Sequence, residues 1–254
     1  MLEIVQLPCL SDNYGFLVHD TNTKTTISID SPDAKMITEA LEARNWLLSA
    51  IWNTHHHFDH AGGNAALVER WNCKIIAPKG DVKFIPNADQ LVVDGDEVSL
   101  GDMTAKVLHT PGHTMGHVIY WFENENIAFV GDTLFALGCG RLFEGGPEDM
   151  WPSLQKIMAM APETMIYCAH EYTEDNLRFA MTIDPDNLDL IARGRHIKTK
   201  RQNNQWTIPF TLAEDLATNP FLRAADPAIR KKLQMQDASD QQVFAQIRQR
   251  KDNF

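Results

Sequence analysis

Hydrophobic positions along the first 170 residues of the chain recur with two periods. Short runs rich in β-branched and aromatic residues, "LEIVQL", "YGFLVH" and "TTISID", are separated by the turn-formers "LSDN" and "DTNTK". They predict strands over 2–7, 14–19 and 25–30. "SPD" then opens "AKMITEALEARN", where Met36, Ile37, Ala40 and Leu41 fall at helical spacing. The alternation continues with strands over "LSAIWN", "CKIIAP", "TAKVLHT", "HVIYWFE", "NIAFV" and "TMIYCA", and helices over "GNAALVERWN" and "PEDMWPSLQKIMAMA". After residue 171 the strand-like runs stop. "TEDNLRFAMTI", "DNLDLIARGRHIKTKRQNN", "LAEDLAT" and "DASDQQVFAQIRQRK" read as helix. The pattern predicts an α/β body over 1–170 and a helical part over 171–254.

Composition narrows the partners. The 254 residues are 44% hydrophobic, ordinary for a globular chain. The net charge of −11 argues against a nucleic-acid partner. It is unevenly spread: residues 1–190 carry −17 and residues 191–254 carry +6. The basic tail either docks on an acidic body or helps hold an anionic ligand. No apolar run of about 18 residues occurs, so a membrane partner is not expected. The start "MLEIVQLPCLSDNYG" has no basic segment followed by an apolar core, and Cys9, Cys73, Cys139 and Cys168 are scattered without C-x-x-C spacing. The expectation is a reducing, cytoplasmic compartment and a monomer.

The chemistry concentrates in "NTHHHFDHAGG" at 53–63, where four of the ten histidines fall within six positions. His55 and His57 project to one side of an extended backbone, and Asp59 and His60 follow as the chain turns. Imidazole suits zinc, iron and copper, and a carboxylate can terminate or bridge a metal. One divalent ion rarely needs four ligands from a single loop, so two ions are expected. Three further stretches follow predicted strands: "HTPGHTMGH" with His109, His113 and His117, "FVGDTLF" with Asp132, and "IYCAHEYT" with His170 and Glu171. Strand C-terminal ends are where α/β folds build sites. Isolated histidines are more often structural, and His19, His56, His109, His117 and His196 are read that way. Cys139 and Cys168 lie near these loops, and by chemistry either could be a ligand.

Taken together, "THHHFDH", "PGHT", "GDTLF" and "AHEYT" resemble the metallo-β-lactamase superfamily. That resemblance implies a four-layer αβ/βα sandwich with metals at one edge. "GDTLFALGCGRLFEG" (131–145), "AHEYTEDNLRFA" (169–180), "TLAEDLATNPFLR" (211–223) and "IRQRKDNF" (247–254) resemble more specifically the glyoxalase II, or hydroxyacylglutathione hydrolase, family, over nearly the whole chain. By that resemblance His55, His57 and His113 bind one divalent ion, Asp59, His60 and His170 the other, and Asp132 bridges them. The ions are zinc first, with iron or manganese as alternatives. The substrate is a glutathione thioester, held by Arg141 with Phe143 nearby, by Tyr172, and by the basic pair Arg248 and Lys251. Arg250 competes with Arg248 for that role. Some relatives carry tyrosine where this chain has Phe143, so a side-chain hydrogen bond there is lost.

The implied reaction is hydrolysis of S-D-lactoylglutathione to glutathione and D-lactate, the second step of methylglyoxal detoxification. A hydroxide shared by the two metals attacks the carbonyl, and Asp59 orients it. The thiolate, with a pKa near 8.5, leaves without an obligate protein acid. The runner-up is another hydrolase of the same fold acting on a different thioester or ester. A mono-iron dioxygenase needs fewer ligands, a nuclease wants a basic groove, and a β-lactamase is more usually exported.

Overall fold

The strands and helices expected from the periodicity form in the computed structural model, which describes residues 1–254. In chain order they are β1 (Leu2–Cys9), β2 (Asn13–Asp20), β3 (Thr25–Ile29), α1 (Ala34–Arg44), β4 (Leu48–Trp52), α2 (Phe58–Ala61), α3 (Asn64–Trp71), β5 (Lys74–Pro78), β6 (Gln90–Val92), β7 (Glu97–Leu100) and β8 (Met103–His109). There follow β9 (Val118–Phe122), β10 (Ile127–Gly131), β11 (Leu134–Phe135), β12 (Gly138–Cys139), α4 (Pro147–Met158), β13 (Met165–Cys168), α5 (Thr173–Ile183), α6 (Leu188–Gln202), β14 (Phe210–Thr211), α7 (Leu212–Thr218), α8 (Pro227–Leu233) and α9 (Asp240–Asp252). They divide into two compact units: Met1–His109 with Met115–Gly131, and Thr110–Thr114 with Asp132–Phe254.

In the first unit, β1, β2 and β3 pair antiparallel, and β3, β4, β5 and β6 continue the sheet in parallel. β7 to β10 form a second, antiparallel run. Every residue of β2 is buried, because its two faces meet different partners. Leu17 joins Ile37 and Leu41 of α1 and Leu67 of α3 in one apolar cluster. Phe16 points the other way and meets Phe129 of β10, ring centroids 5.4 Å apart. Trp52 of β4 likewise packs on Tyr120 and Phe122 of β9. Helices therefore cover one face of the first sheet and the second sheet covers the other. α1 starts where "SPD" predicts: the Asp33 side chain accepts from the backbone of Lys35 and Met36, and Asn45 closes the helix in the left-handed conformation.

The second unit is mostly helical. Trp151 of α4 packs on Phe244 of α9, ring centroids 5.6 Å apart. Leu177 and Ala180 of α5 cluster with Leu190 and Ile197 of α6. α7 and α9 open with capping boxes, Thr211 with Glu214 and Ser239 with Gln242. This unit begins before residue 171 because α4 and the β11–β12 hairpin pack with the C-terminal helices. Strand structure also does not end at 171: Phe210 and Thr211 pair with Ile166 and Met165. Two residues are too few to show a period. No helix is long and apolar enough to cross a membrane.

Leu17 has no exposed surface and belongs to the apolar cluster that includes residues of both helices. Leu17→Ala should lower stability by about 2–5 kcal/mol, the usual range for an unfilled core leucine. Denaturant midpoints check this, and an unchanged midpoint would contradict the core assignment.

Candidate metal centre

The first unit presents its donors where β4 ends. Asn53, Thr54 and His55 continue from the strand fully buried, and α2 makes one helical turn carrying Asp59 and His60. The turn is stitched down by its backbone: the His60 carbonyl accepts from Asn53 Nδ2 at 3.0 Å and from the Ser31 amide at 2.7 Å. His55 Nε2 and His57 Nδ1 are brought to 3.0 Å. His60 Nε2 lies 3.7 Å from Asp59 Oδ2. His56 is engaged elsewhere, 3.1 Å from Asp81 and stacked on Phe84, as expected of the middle histidine.

Two residues outside the expected set organise this turn. Asp30 directly follows β3, beside β4, with a left-handed φ of 58°. It accepts from the Thr54 amide (2.7 Å), the Thr54 hydroxyl (2.8 Å) and His60 Nδ1 (2.8 Å). Asn13 donates to Asp59 Oδ2 at 2.9 Å and fixes that carboxylate's rotation. An acid closing the apolar run "TTISID" is the local signal for Asp30. Nothing local marks Asn13.

The second unit carries His113, Asp132 and His170. Asp132 places Oδ2 3.3 Å from His113 Nε2 and Oδ1 3.4 Å from His170 Nε2, one oxygen toward each ring. His113 Nδ1 lies 2.9 Å from the Arg141 carbonyl, which can only accept, so this nitrogen carries the proton. In a neutral ring the lone pair is then on Nε2, facing Asp132. His60 repeats the arrangement: Nδ1 donates to Asp30, and the Nε2 lone pair faces Asp59. A lone pair aimed at a carboxylate oxygen is repelled unless a cation or proton lies between. Rear-side acceptors of this kind are the usual support of metal-binding histidines. The donor set therefore fits divalent ions.

His117, His109 and His19 have partners of their own. His117 is buried and stacked on His55. A side chain at Gly131, whose φ is 48°, would fall within 3 Å of His117 Nε2 and Thr54 Oγ1. His109 Nε2 lies 2.8 Å from the Met115 carbonyl, closing the loop that carries His113. His19 is stacked on Trp46, ring centroids 4.1 Å apart. The four cysteines are buried and free. Burial pushes the Cys139 thiol up to about 11 and that of Cys168 higher still, so both stay protonated at neutral pH.

The expected substrate residues all lie in the second unit. Tyr172 stacks flat on His170, ring centroids 4.6 Å apart. Phe143 is exposed and sets its ring against His113. Arg141 is exposed. Arg248 is buried, donating to the Cys139 carbonyl at 3.0 Å and pairing with Asp252 at 2.7 Å, whereas Arg250 is exposed. Lys251 sits over the rings of Phe179 and Phe254 and donates to the Asp175 carbonyl. Its pKa is lowered, first by burial and then by the charge of Arg248, with Arg178 and Arg141 adding to the effect. Four cations thus share one field. Four other cations of the basic tail are paired with acids of their own unit: Arg193 with Asp215, Arg201 with Glu171, Arg223 with Asp184, and Arg230 with Asp240.

Two family models match. Residues 29–170 match the metallo-β-lactamase superfamily, and residues 171–254 match the hydroxyacylglutathione hydrolase C-terminus. A hydroxyacylglutathione hydrolase from Maricaulis maris is 55% identical over 253 residues, covering 100% of this chain and 99% of the relative. The chain belongs to the hydroxyacylglutathione hydrolase family. Solved structures place this family member in the metallo-β-lactamase fold. ETHE1 from Myxococcus xanthus superposes with a TM-score of 0.69 at 23% identity, over 97% of this chain and 90% of that one. TTHA1623, solved in a di-iron-bound form, gives 0.63 at 24% identity, over 87% of this chain and 100% of that one. With the fold and its His and Asp clusters, this hydroxyacylglutathione hydrolase family member carries a divalent-metal centre.

Asn tolerates the left-handed backbone of Asp30, so Asp30→Asn removes charge with little strain. It should weaken metal binding by about 10–100-fold, the usual cost of losing such a support. Chelator competition reads this directly, and an unchanged affinity would remove Asp30 from the centre.

Proposed function

We propose that the chain hydrolyses S-(2-hydroxyacyl)glutathione, S-D-lactoylglutathione first, to glutathione and the 2-hydroxy acid. The observation that carries this reading is the full-length identity, helical C-terminal part included, to a relative named for that substrate. In this reading His55, His57 and His113 would hold one ion and Asp59, His60 and His170 the other, with Asp132 available to both. Zinc is the first choice for an imidazole-rich set with carboxylates, and iron or manganese would also be accepted. Divalent ions supply a lowered water pKa and charge to stabilise an oxyanion.

The chain's own residues do the rest. Asp59, its rotation set by Asn13, orients the attacking water. Asp30 and the Arg141 carbonyl keep the His60 and His113 lone pairs aimed inward. The thiolate leaves without a protein acid, because its pKa of about 8.5 makes it stable enough. Arg141 suits a glutathione carboxylate because its planar fork binds bidentately. Lys251 and Arg248 add positive charge, and the Tyr172 hydroxyl supplies a hydrogen bond. Phe143 contributes only its ring. Residues 171–254, with Arg141, form the glutathione-binding part. The free, scattered cysteines support a cytoplasmic setting, and a single chain carries every residue invoked.

The test is turnover of S-D-lactoylglutathione beside a lactone and a simple ester, followed by loss of each absorbance. Preference for the glutathione thioester is expected, and faster turnover of either competitor would overturn the substrate assignment. Lys251→Ala should raise KM roughly tenfold, about 1.4 kcal/mol, and lower kcat less, because the contact is remote from the carbonyl. Because burial and neighbouring cations lower the Lys251 pKa, its ammonium is lost before the ordinary lysine range as pH rises. The KM of the unmodified chain should therefore climb on the alkaline side, and the Lys251→Ala chain should lose that climb. An identical KM profile in the two chains would take Lys251 out of the site.

A further inference from the structure

The β11–β12 hairpin has two residues per strand and links Asp132 to Arg141. So short a ladder cannot hold its own shape. Five consecutive residues of it are held by side chains from the C-terminal helical part. Asn219 Nδ2 donates to the carbonyls of Phe135 (3.3 Å) and Gly138 (3.0 Å). Asn176 Nδ2 donates to the Ala136 carbonyl at 3.1 Å. The Leu137 amide donates to Asp215 Oδ1 at 3.1 Å, and the Arg248 guanidinium donates to the Cys139 carbonyl at 3.0 Å. Leu137 has a left-handed φ of 60°. A side chain at Gly138 would collide with Asn176.

The grip is itself braced. Asp215 has no exposed surface and is ion-paired with Arg193, which also donates to Thr218. Asn219, also fully buried, donates to Asp215 Oδ2. Beyond the hairpin, the Arg141 carbonyl is taken by His113. The backbone is thus fixed up to and including Arg141, while its side chain stays exposed.

We propose that Asn219, Asn176 and Asp215 are positioning residues for thiol recognition: by fixing this hairpin they set where the Arg141 guanidinium meets a glutathione carboxylate. The inference rests on the reading of Arg141 as a glutathione contact. A long cation reaches only as accurately as its Cα is placed, and a displacement of about 1 Å can cost a large factor in rate.

The test uses the full-length, metal-loaded protein and two substrates with the same acyl group: S-D-lactoylglutathione and the D-lactoyl thioester of N-acetylcysteamine, a thiol without carboxylates. Asn219→Ala should lower kcat/KM for the glutathione thioester about tenfold, mainly through KM, and leave the neutral thioester within about twofold. Combined with Arg141→Ala it should add little, because both changes remove the same contact. Asn176→Ala, which deletes one grip, should show the same selectivity and serves if Asn219→Ala melts below assay temperature. Equal losses on both thioesters, or a full additional loss in the Arg141→Ala background, would overturn the proposal and mark the grip as a stability device. If Arg141→Ala fails to distinguish the two thioesters, the reading of Arg141 is wrong and the proposal falls with it. If Arg141→Ala distinguishes them and the asparagine variants do not, the proposal alone falls.

Discussion

A neutral imidazole has one proton and one lone pair, and it can serve a cation only if something else holds the proton. That constraint organises the centre. Asp30 holds the Nδ1 proton of His60, and the Arg141 carbonyl holds that of His113. Each acceptor belongs to backbone that has another task. Asp30 closes the β3 run and anchors the amide and hydroxyl of Thr54, the residue before the first ligand. Arg141 ends the hairpin segment and is the cation proposed to meet the substrate.

Charge is divided along the same lines. The acidic body contributes carboxylates that fix histidine tautomers or face metal-type nitrogens. In the basic tail Arg193, Arg201, Arg223 and Arg230 each meet an acid of the same unit. Lys251 lies in the field of Arg248, Arg178 and Arg141, its pKa depressed by burial and by these neighbours.

Much of this was readable from the sequence. The main strands and long helices carry clear periods. Four histidines and an aspartate within 55–60 point to a metal by their density alone. The exceptions have physical reasons. β6 and β7 have three and four residues, several of them exposed, so alternation is barely sampled. α2 is a single turn inside a run of ligands, where side chains are chosen for chemistry and carry no amphipathic signal. Asp30 and Asn13 act from strands that reach the metal turn only through the sheet. Asn219 lies more than 80 positions from the carbonyls it holds. An asparagine after a short helix reads as a C-cap, and only the fold shows that its amide closes a distant hairpin.

Seven donors holding two ions that act together is the claim on which the proposed chemistry stands. The most direct test is to titrate metal-free protein with zinc and to read bound metal and S-D-lactoylglutathione hydrolysis in the same samples. Binding should saturate at about two ions per chain, with turnover reaching its plateau only as the second is bound. Saturation at one ion, or full turnover with one and no change on adding another, would contradict the claim.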